Sequence, residues 1–157
     1  GGIMASVYFD EKHSKLVELF CSKGENKSGR KIFSHNTEFM VFAAMVGRKR
    51  YDSCDDVEIK RDRSHEIKES YFGDKDGIAF TLALEGSKDG EIMRKGNENE
   101  AWKYLEKYAY LGCNEIQKWI VDSPMDDPYD VVLEKIMDAA EPLAKVEKNK
   151  VKSDSDY

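Results

Sequence analysis

The sequence predicts an all-α fold: a single compact domain of about six or seven helices. Two observations favour helices. Apolar residues recur every three or four positions in most segments, which is the spacing of one helical face, and Ser, Asn, Pro or Gly stand where such segments begin and end. A third observation argues against a sheet. Only "GIAFTLALEG" alternates as a strand does, and no second stretch offers it a convincing partner.

The first two helices are predicted in the N-terminal third of the chain. Leu16, Leu19 and Phe20 share one face within "FDEKHSKLVELFCSKG", and Gly24 can close this helix in the left-handed conformation. A second helix is predicted over Asn36–Val46. Its apolar residues lie nearly all round, which is typical of a helix at the centre of a fold.

The middle of the chain is predicted to be less regular. Gly47 is expected to end the second helix, and residues 48–63 are dense in charges of both signs, so they predict a long exposed loop. A short turn of helix follows over residues 65–72. The stretch Ala79–Leu84 fits either a strand or a buried helix, and the lack of a partner strand favours the helix.

The longest helix is predicted over Glu100–Val121, with an irregularity at Gly112 that implies a kink or two helices in tandem. Trp102 and Trp119 lie on its apolar stripes and are expected to be largely buried. A last helix starts near Pro128, a residue favoured in the first turn.

Three parts of the chain are predicted from this pattern. Residues 1–3, which precede a methionine, are interpreted as left over from cloning. Residues 4–144 form the helical domain. Residues 145–157, "KVEKNKVKSDSDY", contain almost nothing to bury and are predicted to be a disordered charged tail.

Composition limits the possible functions. Apolar residues make up 40% and charged residues 36% of the chain, and no apolar run approaches the roughly 18 residues of a membrane span. We therefore expect a cytoplasmic protein without membrane contact.

The three cysteines, Cys21, Cys54 and Cys113, are odd in number and form no CxxC pair, so neither a disulfide framework nor a zinc knuckle is indicated. No cofactor is expected.

The charge is unevenly distributed. The net charge is −6, yet the stretch Lys23–Arg50 holds seven Lys or Arg against two Glu. The candidate binding residues for nucleic acid or a partner are the cations that flank the second helix: Lys27, Arg30, Lys31, Arg48, Lys49 and Arg50. Three roles stay open for them: cations that complement a helix dipole, contacts to nucleic-acid phosphates, and contacts to a protein partner.

Motifs for catalysis are weak. "GENKSGRK" resembles a phosphate-binding loop but has Arg30 and Lys31 where that loop has Lys and a hydroxyl residue. The triplet Glu58-Ile59-Lys60 resembles half of a metal-dependent nuclease motif, which makes such an enzyme the alternative hypothesis. The same triplet recurs at residues 66–68, so a solvated charge run is the better interpretation.

The three histidines, His13, His35 and His65, form no metal-binding pair and are interpreted as surface or capping residues.

Four stretches resemble, in order and spacing, the Dnd-associated protein 4 family, also called DNA phosphorothioation-associated protein 4. They are "IFSHNTEFMVFAAMVGRKR", "EIKESYF", "IAFTLALEGSKDGEIM" and "EAWKYLEKYAYLGCNEIQKWI", and the match covers roughly residues 32–140. The chain departs from the family at 110–113, where the family tends to have Asn-Gly-Gly, and in "LEGSKD", which lengthens the spacing.

The resemblance implies a role beside the cassettes that replace a non-bridging phosphate oxygen of DNA with sulfur and restrict unmodified phage DNA. The family offers no catalytic residues to transfer to this chain. The resemblance therefore implies a non-catalytic accessory or regulatory component of a defence system, which acts through contacts with other subunits of that system or with its DNA.

Overall fold

The fold of the protein is given by a computed structural model, which describes residues 6–21, 32–75 and 98–138. Within these residues there are four α-helices: α1 (Ser14–Cys21), α2 (Asn36–Arg50), α3 (Glu98–Asp122) and α4 (128–138). Two strands, β1 (Ser6–Val7) and β2 (Ile67–Lys68), form an antiparallel sheet. Short 3-10 helices cover Glu11–His13, Arg63–His65 and Glu69–Lys75. The predicted all-α class with six or seven helices is therefore wrong, although the described residues are mostly helical.

The sheet was missed because its strands are too short to alternate visibly. Ser6 pairs with Lys68 and Val7 pairs with Ile67, so each strand offers one buried apolar residue. A two-residue strand cannot show the period-two pattern by which strands are identified in sequence. The short helix predicted over residues 65–72 is replaced by β2 and parts of the flanking 3-10 helices.

The N-terminal segment is also tied to the predicted loop at 48–63. The Asp10 carboxylate accepts the backbone N–H groups of Lys12 and Lys60, both at 2.9 Å. The Asp62 N–H donates to the Phe9 carbonyl at 2.9 Å, beside a bridge between Asp10 and Arg61. The loop therefore has a firmly anchored end, which its high charge did not predict.

The contact between α2 and α3 depends on two glycines. Gly47 of α2 packs on the backbone of Tyr108 in α3, and Gly112 of α3 packs on the backbone of Ala43 in α2. The order of these pairs means that the helices run in opposite directions. Gly47 does not end α2, which continues to Arg50, and α3 is a single helix through Gly112 rather than two in tandem. The prediction that Gly47 ends α2 was therefore wrong, and so was the interpretation of Gly112 as a break between two helices. The alternative of a kink at Gly112 stays a prediction.

The core is centred on α2, as its apolar sequence predicted. Phe39 is fully buried, and the rings of Phe9, Phe20 and Phe33 lie 5.3 to 5.7 Å from its ring, centroid to centroid. Trp102 is buried as expected, with its ring 5.1 Å from that of Phe72.

Several predictions fall outside the described residues. These are the helix Ala79–Leu84, the residues 1–3, and the tail 145–157. None of the helices described above is both long enough and apolar enough to cross a membrane.

Candidate interaction surface

The basic residues after the second helix belong to the helix itself. Arg48, Lys49 and Arg50 form the last turn of α2, where cations complement the negative end of the helix dipole. Lys49 and Arg50 are exposed, whereas Arg48 is half-buried. A guanidinium N–H of Arg48 donates to the Tyr51 carbonyl at 3.3 Å, and the guanidinium lies 5.8 Å from the centre of the Tyr108 ring. The fold therefore holds Arg48, and Lys49 and Arg50 present their charges to solvent.

The other three predicted binding residues, Lys27, Arg30 and Lys31, lie outside the described residues. Their role in binding stays a prediction.

Helices α2, α3 and α4 border a cavity of 430 Å³, which we call the helical groove. Its floor consists of three half-buried apolar side chains, Phe42 and Val46 from α2 and Trp119 from α3. Its rim includes three exposed cations, Lys49 and Arg50 from α2 and Lys135 from α4. Trp119 was expected to be largely buried. It is half-buried because one side of α3 lines this groove.

Two carboxylates also line the helical groove. Asp138 is exposed, and Glu115 has a side chain that is only 18% exposed. The Glu115 carboxylate lies 3.7 Å from the ammonium of Lys118, so its charge is partly balanced. The exposed rim is therefore positive on balance, although the whole chain carries a charge of −6.

This arrangement suits a ligand with an apolar group and negative charges around it. An apolar floor contributes affinity by removing nonpolar surface from water, and charges at a rim select the partner and speed its approach. The groove lies within the size range of ligand pockets, at about 300–1,000 Å³.

The sequence predicts part of this surface. Lys49 and Arg50 are among the predicted binding residues, whereas Lys135 and the apolar floor are not. Phe42, Val46 and Lys49 lie at helical spacing, so one face of α2 could have been recognised. Lys135 has no such signal, because only the packing of α4 brings it to the rim.

A second polar cluster joins α1 to the 3-10 helix Arg63–His65. His65 Nδ1 lies 2.6 Å from an Asp62 carboxylate oxygen, and His65 Nε2 lies 3.8 Å from a Glu18 carboxylate oxygen. Burial raises the pKa of Asp62, but hydrogen bonds from Ser64 and His65 outweigh that effect and hold the pKa below its ordinary value. Both nearby hydroxyls, those of Ser14 and Ser64, lie on the Nδ1 side.

A serine nucleophile needs its hydroxyl at the imidazole nitrogen that does not face the carboxylate. Both ring nitrogens of His65 face a carboxylate, Nδ1 that of Asp62 and Nε2 that of Glu18, so neither nitrogen meets this requirement in the described part of the chain. These contacts tie α1 to the 3-10 helix Arg63–His65, and we interpret the cluster as a structural clamp. The interpretation of His13 as a surface or capping residue was wrong. His13 is fully buried, with Nε2 at 2.8 Å from the Asn114 side-chain oxygen, and burial lowers its pKa.

Two of the three cysteines lie in the core of the protein. Cys54 and Cys113 are buried free thiols. Burial raises the pKa of Cys54 to about 11 and raises the pKa of Cys113 as well. Both thiols are therefore protonated at neutral pH, and a thiol is a poor nucleophile in that form.

The residues of the nuclease alternative lie in a stretch without regular secondary structure. Glu58 and Lys60 are both exposed in the stretch 51–60, which has neither helix nor strand. Among the residues placed by the structure, no three His, Cys, Asp or Glu side chains are grouped so that they could hold a metal ion. A metal-dependent nuclease needs such a group, so the geometry gives this alternative no support.

Comparison with known proteins assigns the chain to a family. No curated protein and no solved structure matches it. The family model described as DNA sulphur modification system-associated protein 4 matches residues 8–154, almost the full length. This match confirms the resemblance seen in the sequence, and the chain belongs to the DNA sulphur modification system-associated protein 4 family.

Proposed function

We propose that this protein is a non-catalytic accessory or regulatory component of a DNA sulphur modification system that is linked to restriction and phage defence. It acts by contact with other subunits of the system or with its DNA. The family supports the association with the system. The observation that supports a binding role is the helical groove, where the exposed cations Lys49, Arg50 and Lys135 border an apolar floor.

The described residues offer more for binding than for catalysis. The polar cluster at His65 has the geometry of a clamp, and the two buried thiols are protonated. No group of described side chains near Glu58 and Lys60 could hold a metal ion. An accessory role needs only a surface that recognises a partner, and the helical groove is our candidate for that surface.

The test is genetic and biochemical. In cells that carry the complete system, the gene is deleted and restored as wild type or as the variant Lys49→Glu/Lys135→Glu. Phosphorothioate content of the DNA and restriction of unmodified plasmid are then measured. We expect deletion to change one of these activities, and the variant to behave like the deletion. The variant Lys15→Glu, which changes an exposed charge on α1, is the control and should behave like wild type.

The nuclease alternative is tested on the purified protein. Plasmid is incubated with the protein and Mg²⁺ or Mn²⁺. We expect no cleavage. Metal-dependent cleavage that is lost in Glu58→Gln and Lys60→Ala would overturn the proposed function.

A further inference from the structure

We propose that the helical groove docks an acidic amphipathic helix from another subunit of the DNA sulphur modification system. This inference rests on the proposed function and names the chemistry of the partner.

The shape of the floor favours a helix as the occupant. Phe42 and Val46 lie one helical turn apart on α2, and Trp119 faces them from α3. A partner helix presents apolar side chains at the same one-turn spacing, and it can insert them between helices that already border a groove. The volume of 430 Å³ has room for a few such side chains rather than for a whole helix, so the partner would lie along the rim.

The charges favour an acidic partner. Lys49 and Arg50 stand on the α2 side of the groove and Lys135 stands on the α4 side, all exposed. Carboxylates that flank the apolar anchors of a partner helix would meet cations on both sides. Asp138 is the exposed negative charge among the lining residues, and it would disfavour a partner that places carboxylates uniformly.

The same features argue against DNA in the groove. A duplex presents mainly phosphates and sugars on its outside, so it would contact the rim but leave Phe42 and Val46 exposed to water.

Photo-crosslinking in cells that carry the complete system tests the proposal. Met45 is 55% exposed on α2, next to Val46 and one turn before Lys49, so p-benzoylphenylalanine at this position stands beside the groove, where a docked helix would pass. Tyr71 is 67% exposed outside the groove and takes the same crosslinker as the control. Crosslinked peptides are identified by mass spectrometry.

We expect position 45, but not position 71, to capture another subunit of the system. The captured segment should have apolar residues at helical spacing and more Asp and Glu than Lys and Arg. Adding Lys49→Glu/Lys135→Glu should reduce the yield by roughly tenfold, since like charges across an interface are strongly unfavourable. Adding Lys15→Glu instead should leave the yield unchanged.

Other outcomes overturn the inference. Crosslinks from position 45 to nucleic acid alone, to a second copy of this chain, or to a basic segment would each reject it. If the wild-type protein co-purifies with the system but position 45 captures nothing, the inference fails and the proposed function stands. If the protein neither co-purifies nor affects modification or restriction, both fail.

Discussion

Gly47 in α2 and Gly112 in α3 face each other where the two helices touch: a Cβ atom on Gly47 would lie 2.9 Å from the backbone nitrogen of Gly112. The same Cβ would overlap the carbonyl oxygen of Tyr108. A Cβ on Gly112 would overlap the carbonyl oxygen of Ala43. These neighbours are backbone atoms, which cannot turn aside as a side chain can. The approach of α2 to α3 therefore requires glycine at both positions.

We predict that Gly47→Ala destabilises the protein by about 3 kcal/mol, because the added methyl group forces the two backbones apart. Helix propensity alone would give the opposite sign, a gain of about 1 kcal/mol. Urea denaturation of both proteins measures the difference. Met45→Ala, on the exposed side of the same helix, is the control and should change stability by no more than about 0.5 kcal/mol. A Gly47→Ala protein as stable as wild type would show that the helices can separate at little cost.

These glycines illustrate what could be predicted from the sequence. The existence and approximate limits of α3 followed from apolar periodicity over several turns, and those of α2 followed from its nearly continuous apolar run. The glycines were misinterpreted because the local rules treat glycine as a helix end or break. Here the close contact of two helices outweighs its local cost. The spacing of Ala43 and Gly47, four residues apart on one face, was the available sign of a close approach.

The candidate site likewise has a part that the sequence predicts and a part that depends on packing. Lys49 and Arg50 were identified because they are consecutive cations at the end of an apolar segment. Lys135 lies far along the chain, and its place beside Trp119 depends on how α4 packs. The sheet was missed for a different reason, since Val7 and Ile67 are single buried residues whose pairing is set by contacts distant in sequence.

Trp102 provides a test of the core. Its side chain is 5% exposed and packs against Phe72. We predict that Trp102→Ala lowers the free energy of unfolding by about 3–5 kcal/mol, since it removes a buried aromatic ring and leaves a cavity. Chemical denaturation monitored by circular dichroism measures the loss. A loss below about 1 kcal/mol would mean that the ring contributes little to the core, and would favour a binding role for it.

Glu106 makes stability depend on pH. Its side chain is buried and accepts the backbone N–H of Tyr8 at 2.7 Å. Burial raises its pKa to about 7, and the hydrogen bond with Tyr8 and the charges of Arg61 and Lys103 only partly oppose that effect. Between about pH 4.5 and pH 7, Glu106 is therefore protonated in the folded protein but ionised in the unfolded chain, where its pKa is near 4.5. Stability falls as pH rises from about 4.5 to 7, because the folded state binds more protons in that window.

We predict that Glu106→Gln removes this fall. Glutamine keeps an oxygen that can accept the Tyr8 N–H and carries no charge to desolvate. At pH 8 the variant should be more stable than wild type by roughly 3 kcal/mol, and near pH 4 the two should be similar. Urea denaturation at both pH values gives the comparison, and subtracting the two proteins cancels other titrating groups such as His13. An equal pH dependence in both would show that Glu106 is solvated.

The last prediction concerns DNA, the other contact named in the proposed function. Lys49 and Arg50 are the exposed cations at the end of α2, whereas Arg48 is held by Tyr51 and Tyr108. Binding through phosphates should be weakly sequence-dependent and salt-sensitive. Each contact contributes about −0.9 to the slope of log affinity against log salt, so Lys49→Ala/Arg50→Ala should reduce that slope by about 2, not 3.

Titration of duplex DNA at several salt concentrations measures these slopes. Lys15→Ala/Lys68→Ala removes two exposed cations from α1 and β2 and is the matched control, which should keep the wild-type slope. Folding should change little in Lys49→Ala/Arg50→Ala, since a cation at a helix end contributes only about 0.3–1 kcal/mol. Arg48 is left intact because its loss would disturb the packing on Tyr108 as well as the charge. Equal slopes in all three proteins would reject DNA contact through the end of α2, and a lost subunit complex in Lys49→Ala/Arg50→Ala would then assign these cations to the protein partner.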